Sequence, residues 1–123
     1  MAKTINLIIE TTDNELWGRV ELDDNLIVES ASNLAELQSK MKQLLLDWHG
    51  MEEVEFDVSY DLTAFFDVFT YLKISKVAEA ANMNASLLRH YVAGSKTASK
   101  QNVQLIQAAI HKLGEELMNV KFA

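Results

Sequence analysis

The chain has 123 residues, which is enough for one ordinary domain or for two small ones. Its residues are 49% apolar and 24% charged, the composition of a folded globular protein rather than a disordered one. Cysteine is absent, which excludes disulfides, thiolate metal ligands and a cysteine nucleophile. The sequence contains neither an apolar run of about 18 residues nor a signal-peptide core, so we expect a cytoplasmic protein with no membrane partner.

The charge of the chain changes sign along its length. The formal net charge is -7, which by itself argues against nucleic acid, because DNA binding requires Lys and Arg to neutralise phosphates. Up to residue 72, however, four basic residues stand against fifteen acidic ones, whereas from Lys73 onward seven stand against three. The two halves therefore carry formal charges of -11 and +4. Such asymmetry indicates a charged binding partner.

The first half has the pattern of a small sheet with one helix. Residues 5–10, 16–22 and 26–30 form short apolar or alternating segments, and the clusters at 12–14 and 23–25 are turn-forming, which predicts a three-strand meander. An amphipathic helix follows, with a cap at Ser32 or Asn33 and a stop near Gly50. Residues 54–60 then alternate between apolar and polar, as in a strand buried on one face. The apolar positions of the predicted helix are Leu34, Leu37, Met41, Leu44, Leu45 and Trp48.

The second half is predicted to be helical throughout. Asp61 is a candidate N-cap for a first helix, and two short helices should follow at about 75–81 and 85–93. Gly94 is placed to end the second of these in a left-handed conformation. A longer helix should start at Ser99, and Phe122 is expected to close the core. The apolar stripe of that helix comprises Val103, Ile106, Ile110, Leu113 and Leu117.

These patterns predict an α+β fold with two domains. Residues 1–60 should form an acidic β-β-β-α-β domain, and residues 61–123 an all-helical domain. The absence of proline and of a Gly/Ser linker indicates that the two are joined tightly near Asp61.

The segment 75–94 meets the steric demands of a helix-turn-helix. Ala78 supplies the small side chain needed where two helices cross steeply, and Asn82 is a residue that tolerates the left-handed turn four positions later. The second helix would then present its outward side chains to a DNA major groove, with Arg89 able to donate two hydrogen bonds to guanine. The predicted DNA-binding residues are Ala85, Ser86, Arg89, His90, Ser95, Lys96, Thr97, Ser99 and Lys100.

This segment resembles the helix-turn-helix of the Cro and phage-repressor family over residues 61–118. The matching positions are Ala78, Asn82, where the family usually has glycine, Leu88, Tyr91 and Gly94. The first half is similar to the HicB antitoxin fold, a partial ferredoxin-like sheet that often carries such a helix-turn-helix behind it. The resemblance implies a transcriptional regulator or antitoxin that dimerises, binds its own operator and covers a HicA-like ribonuclease toxin.

Two other classes of function remain open from the residues. In the first, the acidic half holds a basic partner by electrostatic complementarity and the helical half only dimerises. In the second, Glu53, Glu55 and Asp57 on one strand face act as an acid/base pair or hold a hard cation. A solvated strand face explains these carboxylates better, because no histidine or glycine loop has a determined place beside them. His49 and His111 are too few for a zinc site, and no cofactor or metal is expected.

We therefore predict a DNA-binding regulator rather than an enzyme. It should repress by occupying its operator as a homodimer, with two copies of the second short helix about one DNA turn apart, on the order of 34 Å. The operator would then be an inverted repeat of double-stranded DNA.

Overall fold

A computed structural model, which describes residues 2–123, divides the chain into two compact units. The first unit extends through Asp67 and the second begins at Val68. The first contains a sheet and a covering helix, and the second is all-helical, which confirms the predicted α+β class. The division falls seven residues after the expected boundary at residue 60, so the short helix that follows Asp61 groups with the sheet.

The sheet has four strands in the spatial order β3-β2-β1-β4. Neighbouring strands of the meander pair in antiparallel fashion. The helix connects the third strand to the fourth, which pairs with β1 in parallel. The predicted β-β-β-α-β order is thus confirmed. The elements are β1 (Lys3–Thr12), β2 (Glu15–Leu22), β3 (Asn25–Ala31), α1 (Leu34–His49) and β4 (Val54–Tyr60).

Both hairpins of the meander have two-residue turns. The turn residues are Asp13 and Asn14 in the first hairpin and Asp23 and Asp24 in the second, with φ between 50° and 66° at all four. Positive φ at both central positions is the type I′ geometry, whose twist matches that of the flanking strands. Asp and Asn tolerate this conformation better than other residues with side chains. The turn clusters of the sequence therefore set the strand register.

Helix α1 is capped at both ends. The Asn33 side chain accepts a hydrogen bond of 2.8 Å from the Glu36 backbone N–H, so Asn33 is the N-cap. At the other end Gly50 has φ 63°, and its N–H donates to a carbonyl of the last turn. Glycine adopts this left-handed conformation without steric cost, which explains why the helix stops there.

One face of α1 packs against the sheet. Leu37, Met41 and Leu45 are fully buried in the core of the first unit. Trp48 was expected on this face as well, but its side chain is 78% exposed, so that prediction is wrong. It lies in the last turn of the helix, beyond Leu45, the last fully buried residue of α1.

Gly18 allows α1 to approach the sheet closely. A Cβ atom at Gly18 would lie 2.9 Å from Leu7 Cδ1 and 3.1 Å from Leu37 Cδ2. Real Cβ atoms do not tolerate the shorter contact, and both neighbours are fully buried leucines with little room to move. The centre of β2 therefore has to be glycine for this packing to exist.

The outer face of the sheet, away from α1, is exposed and mixed in character. Trp17, Leu26 and Val28 are apolar side chains on this face that remain more than one-third exposed. Arg19 lies beside them and pairs with Glu10 at 2.7 Å. We refer to these five residues as the outer sheet face.

A short helix, α2 (Leu62–Val68), follows the sheet. The Asp61 side chain accepts a 2.7 Å hydrogen bond from the Ala64 N–H, which confirms the predicted N-cap. The Thr11 hydroxyl donates to the Asp67 carboxylate at 2.8 Å, so this helix is anchored to the end of β1.

The second unit contains the helices α3 (Ile74–Ala80), α4 (Ala85–Ala93) and α5 (Lys100–Met118). The expectation that Phe122 closes the core is wrong, because its side chain is 95% exposed. The last fully packed residue of α5 is Ala109, and the nine residues to Met118 carry the chain about 14 Å further along the axis. Among the described residues, no helix is both long and apolar enough to cross a membrane.

We expect Gly18→Ala to lower the free energy of unfolding of the first unit by about 1 to 3 kcal/mol, because the added methyl group overpacks the core. Urea unfolding followed by tryptophan fluorescence measures this, since both tryptophans, Trp17 and Trp48, lie in the first unit. The control is Thr4→Ala on the exposed side of β1, which should change stability by less than about 0.5 kcal/mol. Equal stability of Gly18→Ala and the wild type would contradict the close contact.

Candidate nucleic-acid interface

The turn between α3 and α4 has the backbone geometry that the sequence predicts. Ala78 is completely buried, and Asn82 has φ 54°, in the left-handed region. The Met83 N–H donates to the Ala78 carbonyl at 2.8 Å, and the Ala81 N–H donates to the Val77 carbonyl at 2.9 Å. These bonds satisfy the carbonyls at the end of α3 and reverse the chain within a few residues.

Both ends of α4 are held by specific groups. The Asn84 side chain accepts hydrogen bonds from the N–H groups of Ser86 at 2.8 Å and Leu87 at 3.3 Å. Gly94 ends the helix with φ 81°, which confirms its predicted role as the left-handed cap. The Asn84 cap was not predicted, although an Asn immediately before the helix is the signal that identifies one.

The inner side of α4 joins it to the rest of the second unit. Leu88 and Tyr91 are buried, as is Val77 of α3. The Tyr91 hydroxyl accepts a 2.8 Å hydrogen bond from the Asn102 side chain at the start of α5. This bond, which sequence reasoning missed, fixes the rotation of α4 about its own axis.

The opposite side of α4 is exposed and polar. Ser86, Arg89 and His90 lie three and four positions apart, so they share one face of the helix, which we call the outer face of α4. All three are exposed, whereas Ala85 is half-buried and lies at the edge of this face. Of the predicted residues, α4 therefore brings three polar side chains together.

Arg89 is exposed and has no hydrogen-bond or ion-pair partner among residues 2–123. Its five N–H donors form a rigid fork that matches a guanine edge or a phosphate. If a carboxylate of the same chain were paired with Arg89, a ligand would have to displace it. No described carboxylate lies within ion-pair distance of Arg89, so no such displacement is needed. The guanidinium is thus available for a bidentate contact.

His90 is oriented by the residue that follows the Gly94 cap. Its Nδ1 lies 2.9 Å from Ser95 Oγ, and Ser95 Oγ donates to the His90 carbonyl at 3.2 Å. Because the hydroxyl has one hydrogen and gives it to the carbonyl, Nδ1 must donate to Oγ when both bonds form. In the neutral ring, Nε2 is then a hydrogen-bond acceptor that points away from this contact.

The loop after α4 and the first turn of α5 carry the remaining predicted residues. Ser95, Lys96, Thr97, Ser99 and Lys100 are all exposed. The Ser99 side chain accepts a 3.1 Å hydrogen bond from the Asn102 N–H and caps the helix. Neither lysine has an ion-pair partner among residues 2–123. Two lysines and several hydroxyls thus follow the outer face of α4 in the chain.

The carboxylates of β4 lie apart from these residues in the sequence. Glu55 and Asp57 are exposed on the same side of the strand. Among residues 2–123, no three His, Asp or Glu side chains are grouped so that they could hold a metal ion. The arrangement has the features of a solvated strand face.

Comparison of the chain with known protein families, with curated proteins and with solved structures found no match. The geometry of the candidate interface is a capped helix, positioned by a tight left-handed turn, that presents an unpaired arginine.

We expect Asn82→Val to lower the stability of the second unit by about 1 to 2 kcal/mol, because a side chain branched at Cβ is strained at positive φ. Thermal unfolding followed by far-ultraviolet circular dichroism measures the loss of helix. Asn82→Gly is the matched control, since glycine adopts the same φ freely, and it should be at least as stable as the wild type. A turn that does not need the left-handed conformation would tolerate both changes equally.

Proposed function

We propose that this protein is a DNA-binding transcriptional regulator of HicB antitoxin type, which represses by occupying an operator as a homodimer. The observation that supports this most is the unpaired Arg89 on the outer face of α4. The capped α4, the left-handed turn at Asn82 and the buried Ala78 supply the frame that a helix-turn-helix requires.

Helix α4 enters the major groove in this proposal. Arg89 donates two hydrogen bonds to the O6 and N7 atoms of a guanine, the commonest specific contact between proteins and DNA. His90 offers the acceptor Nε2, which suits the amino group of adenine or cytosine. Ser86, one turn earlier on the same face, contacts a base or a phosphate.

Phosphate contacts come from the loop after α4 and from the start of α5. Lys96 and Lys100 neutralise phosphates, and the N-terminal end of α5 at Ser99 adds the favourable end of a helix dipole. The second half of the chain carries a formal charge of only +4, so one copy makes few such contacts. Specific affinity therefore needs two copies on an inverted repeat, with their α4 helices on the order of 34 Å apart.

The acidic first unit limits binding to DNA of random sequence. It carries fifteen acidic and four basic residues, so it repels the phosphate backbone. Non-specific affinity rests almost entirely on phosphate contacts, whereas base contacts add to specific binding alone. The repulsion weakens both kinds of binding alike, so DNA without the matching bases is bound most weakly and discrimination between sequences comes from the base contacts of α4.

The outer sheet face supports a second candidate function, the neutralisation of a basic HicA-like ribonuclease toxin. Trp17, Leu26 and Val28 give this face exposed apolar side chains in a strongly acidic unit. Aromatic and aliphatic anchors with complementary charge are the usual features of a protein interface. This function and DNA binding use different parts of the chain, so the same protein can have both.

The test of DNA binding uses fluorescence anisotropy with an operator selected from random DNA by the wild-type protein, alongside DNA of unrelated sequence. Arg89→Ala should weaken binding to the operator by about 1 to 3 kcal/mol and should leave the unrelated DNA nearly unaffected. Lys96→Ala is the matched control, because loss of a phosphate contact should weaken both DNAs alike and lower the salt dependence. Absence of salt-dependent affinity for any DNA would refute the proposal.

The second candidate predicts a different mutational pattern in an RNA-cleavage assay with a small basic ribonuclease encoded beside this chain. Wild-type protein and Arg89→Ala should both inhibit cleavage, because Arg89 lies outside the outer sheet face. Trp17→Lys should inhibit at least tenfold less well, since it removes an aromatic anchor and repels a basic partner. Equal inhibition by all three proteins would exclude the outer sheet face as the site.

A further inference from the structure

The sheet of the first unit ends in two edge strands, β3 and β4. An edge strand presents backbone N–H and C=O groups with which a further strand can pair. At β3, the Ser30 N–H donates to the Glu29 carboxylate at 3.0 Å, and the Lys40 ammonium donates to the Ser30 carbonyl at 3.0 Å. A strand added along β3 would have to break both bonds, so this edge is partly closed by side chains of the same chain.

The edge of β4 has open backbone groups. The Lys3 N–H donates to the Glu53 carbonyl and the Asp61 N–H donates to the Ile9 carbonyl, each at 3.0 Å, so residues 53 and 61 turn toward β1. Backbone groups alternate between the two edges along a strand, so those of every second residue from 54 onward point away from β1. We call the following groups the β4 edge: the backbone N–H and C=O groups of Val54, Phe56 and Val58. No hydrogen bond to the β4 edge is found within residues 2–123.

The β4 edge lacks the devices that usually protect an edge strand. Lysine side chains, prolines and bulges keep most such strands from pairing with other molecules. Strand β4 instead pairs with β1 without a bulge along all seven of its residues. The chain has no proline, and it has no lysine or arginine between Lys42 and Lys73. A strand of another molecule can therefore pair along β4.

The two sides of β4 determine which side chains such a strand needs. Glu55 and Asp57 are exposed, and neither has an ion-pair partner among residues 2–123. On the core side of the strand, Phe56 and Val58 are only half-buried, so part of their apolar surface is still uncovered. Side chains of neighbouring strands lie about 4.5 to 5.5 Å apart on the same side of a sheet, where opposite charges and apolar pairs are stabilising. A strand with alternating basic and apolar residues is complementary to both sides.

We propose that the β4 edge binds an extended basic segment of a partner protein as an added fifth strand. Lys or Arg of that segment lies beside Glu55 and Asp57, and its aliphatic residues lie beside Phe56 and Val58. Backbone hydrogen bonds supply affinity in this mode of recognition, and the alternating side chains supply specificity. A second copy of this chain is a poor occupant, because β4 paired with β4 would place carboxylates beside carboxylates.

This inference does not rest on the proposed function. The added strand uses neither α4 nor the outer sheet face, and its binding is measured without DNA. The probe is a fluorescein-labelled peptide of seven residues, the length of β4, in which Lys and Val alternate. The control peptide has the same composition with its lysines in one block, which keeps the charge and removes the alternation.

Fluorescence anisotropy with the full chain should show at least tenfold tighter binding of the alternating peptide than of the block peptide. The alternating peptide should lose this advantage when the backbone nitrogens that face β4 are methylated. Methylation removes the N–H donors of the peptide and leaves its side chains unchanged.

Reversing the charge on the exposed side of β4 tests the role of the carboxylates. The double variant Glu55→Lys, Asp57→Lys should bind the alternating peptide at least tenfold more weakly than the wild type. The matched control is Glu15→Lys, Glu21→Lys, which changes two exposed acids of β2 by the same charge. Its affinity should stay close to that of the wild type, because β2 lies two strands, or about 10 Å, from β4, where salt screens most of the effect.

Amide hydrogen exchange followed by nuclear magnetic resonance locates the bound peptide. The peptide should slow exchange at Phe56 and Val58 and leave Val28 on the opposite edge of the sheet unchanged. Equal binding of the two peptides, full affinity in the β4 double variant, or protection at Val28 instead of Phe56 would each overturn the inference. Failure of the protein to bind any DNA would refute the proposed function and leave these measurements unaffected.

Discussion

The tight turn between α3 and α4 is the constraint on which the candidate interface depends. Ala78 has no exposed surface, so a larger side chain would push the two helices apart. Asn82 supplies the left-handed residue without which the chain could not turn in so few positions. The bond between Tyr91 and Asn102 then sets which side of α4 faces outward. The exposure of Arg89 is a consequence of these three contacts.

The two arginines of the chain have opposite roles. Arg19 pairs with Glu10 at 2.7 Å and lies 3.8 Å from Glu21, so its charge is satisfied within the sheet. Arg89 has no such partner among the described residues. A charge that is already solvated and unpaired loses no internal ion pair when a ligand binds. The second unit has three acidic and seven basic residues, against fifteen and four in the first, so it is the half better suited to an anionic partner.

Features that depend on the backbone preference of one residue were predictable from sequence. The type I′ turns at Asp13 and Asp23, the left-handed Asn82 and the cap at Gly94 all belong to this class. Alternation and helical spacing then sufficed for the order of the elements. Errors arose where the distance between elements decides burial. Phe122 has an apolar side chain but lies beyond the packed part of α5.

Contacts between residues far apart in sequence could not be predicted. The steric demand on Gly18 comes from Leu7 and Leu37, which belong to a different strand and to a helix. The parallel pairing of β1 with β4 likewise leaves no local signal. In the interface, the exposed positions of α4 followed from helical spacing, whereas the bond that orients His90 on Ser95 required the path of the loop after Gly94.

The parallel pairing of β4 also sets an order for assembly of the sheet. The two hairpins join residues that are close in the chain, whereas β4 pairs with residues of β1 about fifty positions earlier. Local contacts form faster than distant ones, because less chain entropy is lost in closing the loop. We therefore expect the meander to fold first, which leaves β1 for a time as an edge strand with unpaired backbone groups. During synthesis the edge of β1 stays open until residues 54–60 have emerged; β4 then covers β1 and becomes one of the two edges of the finished sheet, the other being β3.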